Sequence, residues 1–188
     1  SPGGVGTSAS QTIAFGDSDI VGGLYYWNAG AGAVRRYEFG VSGQNAENYI
    51  DRVRAGAVTC VGCHVVSNDG RRIAVGLDIP APSPYKVFDV ATRTLIYGQG
   101  TMFGGGANFF SFSPDSSEIM TSNGVSIVWR NADTGVALAE PLVPVGTMPG
   151  WSPDGYSLVY AKPQVAPPCF GGLCGAPGVD QAVMIGIR

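Results

Sequence analysis

The sequence predicts an all-β fold, and three observations carry that prediction. The 188 residues include 29 Gly and 13 Pro, well above the roughly 12% these two residues contribute on average. So many breakers cannot be housed repeatedly inside helices. Apolar and polar residues alternate over short runs rich in β-branched and aromatic side chains, the period of half-buried strands. Finally, one segment recurs three times: its serines Ser67, Ser113 and Ser152 stand 46 and 39 residues apart, near the period of about 40–45 residues of a four-stranded propeller blade.

Taken in order, Leu24-Tyr25-Tyr26-Trp27-Asn28 and Val34-Arg35-Arg36-Tyr37-Glu38-Phe39 read as the outer hairpin of a first unit without an obvious inner strand. Residues 45–56 are polar and read as a loop with a helical turn around 47–54. The first clear repeat is Val65-Val66-Ser67-Asn68-Asp69-Gly70 followed by Arg72-Ile73-Ala74-Val75. The second is Ser111-Phe112-Ser113-Pro114-Asp115-Ser116 before Ile119, and the third is Gly150-Trp151-Ser152-Pro153-Asp154-Gly155 before Ser157-Leu158-Val159-Tyr160. Each is a hairpin in which Pro presets φ, Asp bonds its own backbone and Gly supplies a positive φ. Further strand pairs follow the first two, at residues 85–95 and 126–138, and the chain ends on an apolar strand at 182–187. Residues 80–84 and 164–178 are Pro/Gly-rich connectors, and Trp27, Trp129 and Trp151 fall in strands where they read as packing residues. These elements predict a single β-propeller domain over 1–188, with blades at about 13–56, 60–100, 107–143 and 146–188. The two terminal blades are incomplete, which favours a part of a larger ring over a closed four-bladed one.

The unit of an apolar strand, Ser-Pro-Asp-Gly and an Ile-Ala-Phe-like strand resembles the TolB-like family of propeller repeats. The resemblance spans about residues 13–188, is specific in the last two repeats, and departs at Asn68, where the pattern has Pro. It implies a propeller and a binding-platform role in the cell envelope.

Composition excludes several partners. The net charge is -3 and the 11 Lys+Arg are scattered, so no basic stripe exists to neutralise a nucleic-acid backbone. No apolar run approaches the roughly 18 residues of a membrane-spanning helix.

The chemistry-bearing motif is Cys60-Val61-Gly62-Cys63-His64, which contains the only histidine. C-x-x-C-H is the attachment sequence of c-type haem: two thiols add to the porphyrin vinyl groups, and the adjacent imidazole ligates iron. Cys60 and Cys63 are therefore the expected thioether residues and His64 the expected proximal ligand of one covalent haem c. A structural C-x-x-C disulfide and a zinc site completed by a distant Cys or Asp are the alternatives. The repeat alignment sets His64 at the position of Phe110 and Pro149, where loops open onto one face of the ring. With no second histidine, the sixth ligand is sought among the methionines. Met102 and Met148 both follow Gly-Thr ahead of an inner strand and are the candidates, whereas Met120 and Met184 fall in strands as core fillers. Arg52, Arg54, Arg71 and Arg72 flank the motif as possible propionate partners. Cys169 and Cys174 are expected to form a disulfide in the 164–178 loop, and with the haem they imply an oxidising compartment, a bacterial periplasm or surface. No Ser-His-Asp or phosphate-loop signature occurs. The expected function is electron transfer to a redox partner protein, with other haem-bearing chains as further partners. The chain is read as an electron carrier or redox subunit rather than an independent catalyst. A haem-free binding module is the rival, and an enzyme with an open haem position the third reading.

Overall fold

The computed structural model describes residues 21–57, 59–78, 84–99, 106–124, 126–143, 146–163 and 179–186. Over these residues the chain is all-β: fourteen strands in four antiparallel sheets, none closed on itself, and one single-turn helix. The first sheet holds β1 (Gly23–Asn28), β2 (Ala33–Glu38) and β3 (Glu47–Ile50), followed by α1 (Arg52–Ala55). The second sheet is β4 (Val61–Val66), β5 (Arg72–Leu77), β6 (Tyr85–Asp89) and β7 (Leu95–Gln99). The third is β8 (Phe109–Phe112), β9 (Glu118–Ser122), β10 (Ile127–Asn131) and β11 (Ala137–Val143). The fourth is β12 (Thr147–Trp151), β13 (Ser157–Pro163) and β14 (Val179–Gly186). Within every sheet the strands lie side by side in chain order, the usual arrangement of consecutive strands.

The repeated turns explain why Ser and Asp recur. In the first, the Ser67 hydroxyl donates to Asp69 Oδ1 at 2.6 Å and accepts from the Arg72 amide at 2.9 Å. Ser113 does the same with Asp115 at 2.7 Å and the Glu118 amide at 3.0 Å. Ser152 repeats it with Asp154 at 2.5 Å and the Ser157 amide at 2.9 Å. Serine thus closes the hairpin mouth while aspartate gathers the turn amides. The fourth turn residue is left-handed in all three, with φ of 71° at Gly70, 64° at Ser116 and 75° at Gly155. The outer hairpins repeat a second device: Asp89 Oδ1 accepts from the Thr92 amide, and Asn131 Oδ1 from the Thr134 amide.

Each core sits between the faces of consecutive sheets. Val34, Tyr49 and Ile50 of the first sheet region pack on Val61, Ile73, Val75, Leu77 and Phe88 of the second. Ala74, Tyr85 and Val87 pack on Phe112 and Ile119 of the third. Met120, Ile127 and Val143 meet Leu158 of the fourth, with Trp151 and Tyr160 at the margin. The leading strands β4, β8 and β12 of three successive sheets lie side by side.

Two expectations are corrected. Residues 47–50, read as loop or helical turn, form strand β3, and the helix is confined to Arg52–Ala55. Pairing with β2 overrides the weak local preference, burying Tyr49 and Ile50. Trp27 lies in β1 but is 50% exposed, so it is no packing residue, unlike Trp129 and Trp151, whose rings meet edge to face at 5.9 Å. Among the described residues no helix is long and apolar enough to cross a membrane.

Candidate functional site

The motif begins just ahead of β4, the first strand of its sheet, whose register with β5 is irregular. Val61 faces Leu77 and His64 faces Val75, so Gly62 and Cys63 together oppose the single Gly76. This is a β-bulge, and glycines suit it: a Cβ on Gly76 would stand 3.2 Å from the Ala107 carbonyl oxygen and 3.6 Å from that of Cys63. In a regular strand, residues three apart point to opposite faces. The extra residue interrupts that alternation between Val61 and His64 at the edge of the sheet, while Cys60, just ahead of the strand, lies beside Gly32 of the first sheet's hairpin.

The approach to the motif is clamped by Asp78, which follows β5. Its Oδ1 accepts from the Thr59 amide at 2.6 Å, the Thr59 hydroxyl at 3.0 Å and the Cys60 amide at 3.3 Å. The Asp78 amide donates to the Cys60 carbonyl at 3.0 Å, and the Val61 amide donates to Gly32 of the first sheet at 3.1 Å. Asp78 adopts φ 54°, a conformation disfavoured for a residue other than glycine, held here by these bonds. Sequence reasoning missed it, because a residue distant along the chain becomes a neighbour only through the β4–β5 pairing.

Both thiols are free, and both residues are half-buried. Burial pushes the Cys63 thiol above its ordinary pKa, and the neighbouring Cys60 adds to the rise. Among the described residues no three His, Cys, Asp or Glu side chains gather to hold a metal ion. A porphyrin supplies four of the iron's ligands itself and asks the protein for one or two, plus the attaching thiols. Cys60, Cys63 and His64 are the donor types that such a group takes, two thiols and an imidazole.

Beside the motif, β4, β8 and β12 border an open cleft of about 210 Å³ lined by Cys63, His64, Asn108, Phe109, Phe110, Met148 and Pro149. The aligned positions His64, Phe110 and Pro149 thus share one cleft. Met148 belongs to it, 41% exposed and at φ 52°. Met120 is fully buried in the core between the third and fourth sheets. Met102, Cys169 and Cys174 lie outside the described residues, and Met184 lies in β14.

None of the four candidate arginines lines the cleft. Arg52 and Arg54 stand exposed on α1, capped by Asp51, whose side chain accepts from the Arg54 amide at 2.8 Å. Arg71 is exposed at the far end of the hairpin, and Arg72 is engaged there, with its Nε on Asp133 at 2.9 Å and an Nη on Asp69 at 3.4 Å. Sequence reasoning also missed Asn108. It is 1% exposed, and neither its amide nitrogen nor its amide oxygen has a hydrogen-bond partner.

No protein-family model matches the chain, and no curated protein matches it.

Proposed function

We propose that the chain is a segment of a β-propeller carrying one covalent haem c, and that it transfers electrons in the cell envelope. The propeller reading is supported by four sheets in succession, cores between their facing surfaces, and leading strands that adjoin. The haem reading is carried by one observation: Cys63 and the only histidine of the sequence line one cleft at the bulged start of β4, with the Cys60 thiol three residues ahead of Cys63.

In this reading the Cys60 and Cys63 thiols each add across a vinyl group. The sulfur bonds to one vinyl carbon and the thiol hydrogen passes to the other, so no oxidant is consumed. His64 would hold the iron through its imidazole, and Met148, whose thioether lies in the same cleft, would be the further ligand, with Met102 the other candidate. When bound, the haem supplies the one-electron chemistry, while the protein supplies orientation, burial and access. A redox partner protein would dock over the exposed edge, in a periplasmic or surface compartment that permits covalent attachment.

The test is direct. Protein made in a host with a haem-attachment pathway should show a Soret band that survives acid–acetone extraction and a denatured mass raised by one haem. In the oxidised form, a near-infrared charge-transfer band of methionine ligation should vanish in Met148→Ala. A colourless product with free or mutually bridged thiols would overturn the redox reading.

A further inference from the structure

The cleft beside the motif collects three soft donors. Cys63 and His64 stand at the bulge of β4, Met148 stands on β12, and all three line the same space of about 210 Å³. The rest of the lining brings no carboxylate and no cation. Met148 is 41% exposed there and holds φ 52°, a backbone that residues other than glycine rarely adopt. Such exposure forgoes the core-filling role in which methionine is ordinarily used, and Met120, fully buried, shows that role in this same molecule.

The ligand's chemistry follows from the donors. A thiol, an imidazole and a thioether without a carboxylate do not suit Ca²⁺, Mg²⁺ or Mn²⁺, which ask for oxygen. A structural Zn²⁺ asks for four donors, more than this lining provides. Thiolate and thioether sulfur select Cu(I), which is satisfied by fewer. We propose that Cys63, His64 and Met148 bind one Cu(I) ion in the chain that carries no haem. Cys60 is no ligand to it, being absent from the lining and beside Gly32 of the first hairpin. On binding, the Cys63 sulfur exchanges its proton for copper and the proton passes to solvent. The ion stays Cu(I), so nothing is oxidised or reduced. This goes beyond the haem reading and stands without it. The same side chains serve either group, so the two exclude each other and copper would delay haem attachment.

The experiment uses the full chain made in a host without a haem-attachment pathway. Cys169→Ser and Cys174→Ser leave Cys60 and Cys63 as the only cysteines. Cu(I), kept reduced by ascorbate without oxygen, is titrated in competition with bicinchoninate. One ion should bind per chain. Met148→Leu and His64→Gln should each weaken binding by roughly 10–100-fold, at least the loss that a missing outer-shell partner causes, while Cys60→Ser leaves it unchanged. Unaltered affinity in Met148→Leu or His64→Gln would overturn the site. So would equal weakening by Cys60→Ser and Cys63→Ser, which would mean a dithiolate on the C-x-x-C pair. Copper X-ray absorption of the same chain needs no variant of a ligand: a shell of two sulfurs and one nitrogen supports the assignment, and a shell of sulfur alone overturns it. The failures are distinguishable. A chain that takes Cu(I) but gains no Soret band in a haem-attaching host sinks the haem reading alone, whereas a haem-bearing protein whose haem-free form ignores Cu(I) sinks the copper site alone.

Discussion

Gly76 and Asp78 act on the cysteine pair from the opposite strand. Gly76 leaves room for the bulge, and a methyl group there meets backbone rather than a flexible side-chain tip. Gly76→Ala should therefore cost about 1–3 kcal/mol in urea unfolding, the range for overpacking. An unchanged midpoint would mean that the bulge tolerates the added carbon. For Asp78 the positive φ and the carboxylate make separable contributions. Asp78→Gly suits the left-handed backbone but removes the clamp, while Asp78→Asn keeps an acceptor oxygen. Hydrogen exchange at the Thr59 and Cys60 amides should rise roughly 10- to 150-fold in Asp78→Gly, as loss of a charge-assisted bond of about 1.5–3 kcal/mol requires, and by less in Asp78→Asn, which keeps a neutral acceptor. Equal acceleration in both would assign the effect to charge rather than to the acceptor oxygen.

Among the elements, the three Ser-x-Asp turns form a linked row. Both departures from the repeat pattern fall where one turn touches the next. Asn68, in the place of Pro, donates its Nδ2 to the Ser113 carbonyl at 2.9 Å, and Ser116, in the place of Gly, accepts from the Asp69 amide at 3.0 Å. The aspartates also respond to acid. The Ser152 hydroxyl, followed by the Tyr156 amide, holds the Asp154 carboxyl below its ordinary pKa. For Asp69 burial pulls upward but is outweighed by Ser67, the Arg71 amide and the two arginines, and the net shift is downward. A carboxyl with a folded pKa below its unfolded value adds stability above the unfolded pKa, about 3.9 for Asp, and loses it as pH falls through the lower folded value. Urea midpoints should thus decline on acidification from about pH 4.5 towards 2, and less steeply in Asp69→Asn/Asp154→Asn. A parallel decline in both proteins would remove the turns as the acid-sensitive element.

Across the whole molecule, stability resides between sheets, because each sheet buries faces that its own strands cannot cover. Arg93 illustrates the joining of the first two sheets. At φ 60° it bonds both Glu47 oxygens at 2.9 and 2.8 Å and lies 4.5 Å from the Tyr49 ring centre. Trp151 performs the same service between the third and fourth sheets, with its Nε1 donating to the Ser111 carbonyl at 3.1 Å and its ring on Trp129. Trp151→Ala should cost about 3 kcal/mol, the lower end for a large aromatic because this one is only partly buried. Protection from hydrogen exchange should fall first in β12 and β13 while β5 keeps it. Uniform loss across all sheets would instead indicate a single cooperative unit.

The sequence by itself determined most of the strands, though not β3, together with the repeated turns and the C-x-x-C-H motif. These depend on neighbours along the chain: alternation of apolar residues, Ser and Asp two apart, Gly where φ is positive. It even placed His64, Phe110 and Pro149 at equivalent positions, which the structure brings to one cleft. Only the tertiary structure decided the bulge at Gly62 and Cys63, the Asp78 clamp and the unpaired Asn108 amide. Each of these arises from what a separate strand presents across a few ångströms. No local spacing encodes that, because register and inter-sheet contact are settled by the burial of the whole.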